Sequence, residues 1–263
     1  MILNIAAYHF VSIDEPEDLA ERLREAATAA RLRGTILVAG EGINLFLAGA
    51  EADVTSFLAT LRNDGGFADI DVKFSRSRAI PFARLKVKVK PEIISFRRGD
   101  ASPLGGRAPG VAPDVLARWI GQGSDDDGRR LVLLDTRNRE EVVHGSFADA
   151  LTLPIERFTE LPAAVEPLRE TLADATVVSF CTGGIRCEKA ALWMRHSGMD
   201  NVLQLDGGIL GYFEKAGTFG YRGRCFVFDA RVALDPALMP AVDPAGMADG
   251  QASGRGDSAP VMV

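Results

Sequence analysis

Three cysteines in 263 residues, at positions 181, 187 and 225, are too few and too unevenly spaced for a disulfide framework. In a reducing compartment such thiols serve either chemistry or plain burial. Histidine is equally scarce: His9, His144 and His196 lie far apart, without the close Cys/His spacing of a zinc site, so each reads as a surface or packing residue. No bound metal is expected. No apolar run approaches the roughly eighteen residues that a membrane span needs, and MILNIAAYHFVSIDEPED lacks the basic segment and small-residue cleavage site of a secretory signal. A cytoplasmic protein with no membrane partner is the expectation. Positive charge is also in deficit, with 30 Lys and Arg against 36 Asp and Glu for a net −6. That balance excludes a general basic coat for nucleic acid but leaves room for a local patch.

The length suits two modest domains, each with its own core. Leu3 to Val11 is an apolar strand ending at Asp14 and Pro16, and PEDLAERLREAATAARLRG carries apolar residues at helical spacing up to Gly34 as a stop. TILVAGEGINLFLAG reads as two short strands broken at Gly40 and Gly42. Glu51 to Arg62 reads as a second helix, and Ile70 to Phe74 as a strand. This β-α-β-β-α-β order is the split βαβ arrangement of ferredoxin-like domains, an antiparallel sheet with two helices on one face and the other face free for a partner. ASPLGGRAPGVAPD reads as a linker, and GQGSDDDG as a solvated loop. LVLLD, LTLP, TVVSF and NVLQL are then short apolar strands alternating with helical patterns over Arg157 to Leu172 and Cys187 to Ser197, plus a final helix. Such alternation implies a parallel sheet.

The fold expectation is therefore mixed α+β and α/β. A ferredoxin-like (acylphosphatase-like) domain over 1–98 and a linker over 99–114 precede an α/β domain with a parallel sheet over 115–220. A short segment over 221–238 and an unpacked tail over 239–263, rich in Pro, Gly, Ala and Ser, complete the chain.

Between Lys73 and Arg98 nine basic residues are opposed by Glu92 alone, a local balance of +8. Within it Leu85, Val87 and Val89 alternate with Lys86, Lys88 and Lys90, so a strand here buries one face and turns ammonium groups outward. Arg84, Lys86, Lys88 and Lys90 are the candidate RNA contacts. A solvated edge strand guarded by lysines against aggregation explains the same pattern.

Cys181 follows the apolar strand TVVSF and opens CTGGIRCEKAALWM, where a buried strand gives way to a helix. Gly183 and Gly184 allow the loop over Thr182, Gly183, Gly184, Ile185 and Arg186 to turn its N–H groups inward. The helix N-terminus and Arg186 add positive charge. A thiol held in this way has a depressed pKa and raised reactivity, which makes Cys181 the candidate nucleophile. Cys187, six residues on, suits either a resolving thiol or a structural cysteine. Cys225 in GRCFVFD is a second candidate resolving thiol, if it folds back toward the loop. Asn44, beside the Gly40-Glu41-Gly42 turn, suits a turn cap better than a substrate contact.

DTRNREEVVHGSF resembles the signature of rhodanese domains, with Asp135, Arg137, Glu141 and Gly145 matching it and Cys181 falling where their persulfide-forming cysteine lies. CTGGIRCEKA, LDGGILGYF and RCFVFDARVA resemble the rhodanese-containing tRNA uridine-34 hydroxylase family. So do YHFVSI, RGTILVAGEGIN and PFARLKVKVKPEI in the first half, and the resemblance spans about residues 5 to 238. It implies an oxidoreductase that hydroxylates carbon 5 of the wobble uridine with dioxygen. The tRNA anticodon region would be its partner, with no bound cofactor and with O2 and an unidentified electron donor as co-substrates. Oligomeric state is not implied.

The rhodanese-like half alone also suits a sulfurtransferase that moves sulfane sulfur through a Cys181 persulfide. A phosphatase or arsenate reductase loop places an arginine after five intervening residues. Cys187 stands there and Arg186 comes one earlier, which disfavours phosphate. An RNA-binding module without chemistry would have no use for Cys181.

Overall fold

The computed structural model describes residues 1–242, so the tail from 243 onward lies outside the described residues. Packing divides the chain into two units. Met1–Ile94 with Phe228–Val232 forms the first, and Ser95–Val227 with Ala233–Ala237 forms the second.

In the first unit β1 (Ile2–Phe10), α1 (Pro16–Ala29), β2 (Arg33–Ala39), β3 (Gly42–Gly49), α2 (Glu51–Asn63) and β4 (Val72–Ser77) follow the expected order, and β5 (Leu85–Val89) adds a fifth strand. The sheet runs β4-β1-β3-β2-β5, antiparallel except for β5, which lies parallel to β2 at the edge. Alternation along the strands builds the core. Leu3 and Ile5 of β1, Ile36 and Val38 of β2, and Ile43, Leu45 and Leu47 of β3 share a cluster with Leu19 and Leu23 of α1 and Phe57 and Leu61 of α2.

Three expectations are corrected here. α1 ends at Ala29 rather than at Gly34, because Arg31 already adopts a left-handed φ of 54°. Gly34 lies within β2 at φ 139°, where an added β-carbon would fall 1.9 Å from the Phe46 carbonyl oxygen. It marks a close approach of two strands, not a helix stop. The second sheet face is not free: the segment after β5 is tied to β3, with Asn44 Nδ2 donating to the Ile93 carbonyl at 3.1 Å and Ile93 fully buried. Asn44 is therefore a buried strand residue satisfying a buried backbone carbonyl, not a turn cap. The Ile93 N–H is taken by Glu41 Oε1 at 2.8 Å.

The second unit contains β6 (Gly110–Val111), α3 (Pro113–Gln122), β7 (Arg130–Asp135), α4 (Arg139–Val142), β8 (Gly145–Phe147), β9 (Leu151–Thr152), α5 (Leu161–Val165) and α6 (Arg169–Leu172). β10 (Ala175–Phe180), α7 (Ile185–His196), β11 (Val202–Leu205), α8 (Gly208–Ala216), β12 (Tyr221–Gly223), β13 (Cys225–Phe226) and β14 (Ala233–Leu234) follow. Its sheet is wholly parallel in the order β6-β11-β10-β7-β9. β10 lies at the centre and is buried along its whole length, which explains its unbroken run of mostly apolar residues.

Gly110–Val111, within the stretch read as a linker, pairs with β11 as the sheet's edge strand. The helix suggested over Arg157 to Leu172 is broken into α5, α6 and two single 3-10 turns, at Phe158–Glu160 and Glu166–Leu168. Pro162 and Pro167, which lack an N–H, account for the interruptions. Among the described residues no helix is long and apolar enough to cross a membrane.

Candidate active site

Cys181 stands immediately beyond the C-terminal end of β10, and the loop from Thr182 to Gly184 carries the chain into α7. Gly184 takes φ 101° as the residue preceding the helix, a conformation open to glycine at little cost. Its N–H donates to Cys181 Sγ at 3.1 Å, and the Arg186 N–H also points to the sulfur. Sγ is fully buried. Burial alone would raise the thiol's pKa. A hydrogen bond from Cys187, the Arg186 charge and the two backbone N–H groups outweigh it and bring the pKa down to about 6. At neutral pH Cys181 is a thiolate.

Arg186 is held by a buried carboxylate. Its Nη1 and Nη2 donate to Glu141 Oε2 and Oε1 at 2.5 and 2.6 Å, and both side chains are almost wholly removed from solvent. Glu141 sits in α4, with Oε2 also accepting from the Asn138 N–H at 3.1 Å and Oε1 from the Thr182 hydroxyl at 3.4 Å. One carboxylate thus fixes both the cation beside the thiolate and the first residue of the loop. Asp135 and Arg137 form a second buried fork, Nε to Oδ1 at 2.9 Å and Nη2 to Oδ2 at 2.6 Å, and Arg137 Nη2 also reaches the Gly145 carbonyl at 2.7 Å. The four residues of the rhodanese-like signature therefore form two structural clasps beside the loop.

The N-terminus of α8 supports the loop from behind. Ile209 N–H donates to the Cys181 carbonyl at 2.9 Å and Leu210 N–H to the Thr182 carbonyl at 3.0 Å. The fit requires glycine at 208, where φ is 61° and a β-carbon would lie 2.6 Å from the Cys181 carbonyl oxygen and 2.7 Å from Gly184 N. Sequence reasoning assigned LDGGILGYF no role, although its paired glycines before an apolar helix were the available signal. Gly208→Ala is expected to cost about 1–3 kcal/mol from the left-handed backbone alone. Gly183→Ala, whose β-carbon meets nothing within 4 Å, should cost far less. Denaturant titration of the two variants checks the contrast.

Cys187 is the third residue of α7, not its first, and its sulfur is fully buried against Cys181. The Thr136 hydroxyl lies 3.7 Å away, and Ser179 adds a second hydroxyl. Burial and the neighbouring Cys181 push this thiol well above the usual range, so it stays protonated. Cys225, in β13, meets the loop at the Thr182 side chain, and burial raises it to about 12.

The candidate RNA contacts lie in the first unit. Register opposes Lys86 to Thr35 and Lys88 to Leu37, while Val87 opposes the core residue Ile36, so the lysines take the face away from the helices. Arg84, Lys88 and Lys90 are exposed and Lys86 is half-buried. Part of the +8 is offset nearby: Lys73 pairs with Asp71 at 2.9 Å, and Arg76 forks onto Glu51 at 2.9 and 3.1 Å. Two histidines meet aromatic rings, His9 at the edge of Phe67 and His144 against Phe226, while the exposed His196 has its Nδ1 2.7 Å from the Asp100 carbonyl. No group of three or more His, Cys, Asp or Glu among the described residues is placed to hold a metal ion.

Comparison with known proteins agrees with this architecture. Residues 2–93 match the UPF0176 acylphosphatase-like domain, and residues 113–215 match the rhodanese-like domain. The chain is 66% identical over 249 residues to a tRNA uridine(34) hydroxylase of Xanthomonas campestris pv. campestris (strain 8004), covering 95% of this chain and 98% of that one. The chain belongs to the tRNA uridine(34) hydroxylase family. Other members are equally end to end in their match, such as that of Xylella fastidiosa (strain 9a5c), 62% identical over 92% of this chain and 95% of its own. The family assignment covers both units and includes the Cys181 loop.

Proposed function

We propose that this chain hydroxylates carbon 5 of uridine 34 in tRNA, using dioxygen and an external supply of electrons, with the Cys181 thiolate as its reactive centre. The observation that carries the reading is the match over nearly the full length of relatives named tRNA uridine(34) hydroxylase. The site offers what that chemistry needs from the protein. A thiolate near pKa 6 stands in a glycine loop, flanked by Arg186 and inward N–H groups able to stabilise negative charge developing on a bound uracil. Thr182, Gly183, Gly184 and Ile185 form the loop around it. A wobble base, already unpaired in the free anticodon, reaches such a site at lower cost than a base in a duplex.

Arg84, Lys86, Lys88 and Lys90 would contact the tRNA backbone, a role in which lysines neutralise phosphates without reading sequence. In this reading the chain works in the cytoplasm, with tRNA as its macromolecular partner and without a resident metal or cofactor. A rhodanese sulfurtransferase would use Cys181 in the same loop but would leave the first unit without a purpose.

The test is nucleoside mass spectrometry on tRNA from a deletion strain grown with aeration and complemented with wild type or Cys181→Ala. Wild type is expected to restore 5-hydroxyuridine and its derivatives at position 34, and the variant to leave them at the deletion level. Restoration by Cys181→Ala would overturn the role of the thiol. Failure of wild type to restore the nucleoside would move sulfur transfer to first place.

A further inference from the structure

Hydroxylation by dioxygen uses two more electrons than the uracil supplies, and the site holds a second thiol with no part in the proposed binding of base or phosphate. The geometry points to Cys181 and Cys187 as a dithiol that delivers those two electrons and closes to a disulfide in each turnover, an inference that rests on the hydroxylase reading.

Three observations carry it. One buried turn holds both cysteines: the Gly184 N–H donates to Cys181 Sγ at 3.1 Å while the Gly184 carbonyl accepts from the Cys187 N–H at 2.9 Å, and each thiol perturbs the other's ionisation. Both are sealed from solvent, which shields a half-oxidised sulfur from bulk reactants. Their surroundings also differ. Cys181 is stabilised as a thiolate by Arg186 and the Gly184 N–H, while Cys187 keeps its proton among Thr136, Ser179 and the neighbouring sulfur. One sulfur is therefore ready to react, and the other to follow with a proton.

The balance closes. The uracil C5–H becomes C5–OH with one oxygen atom of O2, the O–O bond breaks, and the second oxygen atom leaves as water. The Cys181 thiolate and the Cys187 thiol each give one electron and form the Sγ–Sγ bond. The water's two protons come from the Cys187 thiol and from solvent. A small thiol or a dithiol reductase protein then opens the disulfide by thiol exchange, which requires the loop to open to it. A purely structural Cys187 would explain the burial, but it would be replaceable by serine, which keeps a hydrogen-bond donor beside Cys181 and cannot form the disulfide.

The experiment reduces the full-length protein, removes the reductant without air, and adds an unmodified tRNA transcript carrying U34 together with oxygenated buffer. The wild type is expected to make about one 5-hydroxyuridine per chain and, when alkylated after unfolding in denaturant, to show one free thiol where the reduced protein shows three, with a Cys181–Cys187 linked peptide in the digest. Cys187→Ser should fall at least about tenfold in this single turnover while Cys181 keeps its fast alkylation near neutral pH. Full product from Cys187→Ser, or a wild type that makes product and retains all three thiols, would overturn the dithiol role and leave the hydroxylase reading standing. Absence of 5-hydroxyuridine from the wild type even with excess dithiothreitol would overturn both.

Discussion

Glu141→Ala is expected to destabilise the second unit by about 3–5 kcal/mol, the usual consequence of stranding a buried charge without its partner. The guanidinium left behind is that of Arg186, almost wholly buried and held by Glu141 through both terminal nitrogens. The same substitution removes the acceptor of the Asn138 N–H and of the Thr182 hydroxyl, so α4 and the loop lose their common anchor. A fall in the thermal midpoint on the order of 10–20 °C should follow for a unit of this size. Replacing Glu141 and Arg186 together by apolar residues of similar volume should recover much of the loss, since burying the pair in the first place costs desolvation. The double variant would still lack the charge beside Cys181. Stability and thiol reactivity should therefore separate, which calorimetry and alkylation rates measured on the same samples would reveal. A single-variant loss below about 1 kcal/mol would mean that the pair behaves as a solvated one.

Alkylation of Cys181 by iodoacetamide should rise with pH along a titration centred near 6. Cys187 and Cys225, both raised by burial, should remain silent across the neutral range. At pH 7 the thiolate of Cys181 would exceed its thiol by roughly ten to one, where an unperturbed cysteine would be mostly protonated. Stability has a matching sign. Because the folded pKa lies below that of an unfolded thiol, ionised Cys181 contributes its full stabilisation above the ordinary thiol range, and that contribution disappears as pH falls through about 6. Arg186→Gln removes the nearby charge and should move the alkylation midpoint upward. A midpoint unchanged by Arg186→Gln would show that the backbone N–H groups and Cys187 suffice to hold the thiolate.

The reactive loop was legible because its determinants are local. A buried strand, a cysteine, two glycines and an arginine fall within a dozen residues, and backbone chemistry dictates the rest. The parallel sheet was equally open to reading, since its strands are apolar runs spaced by helical segments. What escaped depends on contacts distant in sequence. Glu141 meets Arg186 across 45 residues, and its place in the signature does not reveal that it clasps the loop. Gly208 shows its purpose only when α8 is laid against the Cys181 carbonyl. Asn44 was misread because Gly40 and Gly42 mimic the surroundings of a turn residue, whereas Gly42 already begins β3. The broken helix over 157–172 is a different case: Pro162 and Pro167 announced it in the sequence, and apolar periodicity masked them. Cys187 could not be oriented from spacing, because a shift of one residue in the start of α7 turns its sulfur to another face.

The most direct test of a dioxygen-dependent uridine hydroxylase centred on Cys181 is to incubate the reduced protein with a U34-containing tRNA transcript under isotopically labelled dioxygen, and to weigh the nucleosides released. The account predicts 5-hydroxyuridine carrying the heavy oxygen with wild type, and none with Cys181→Ala. Heavy oxygen missing from the hydroxylated nucleoside, or an equal yield from the variant, would contradict it.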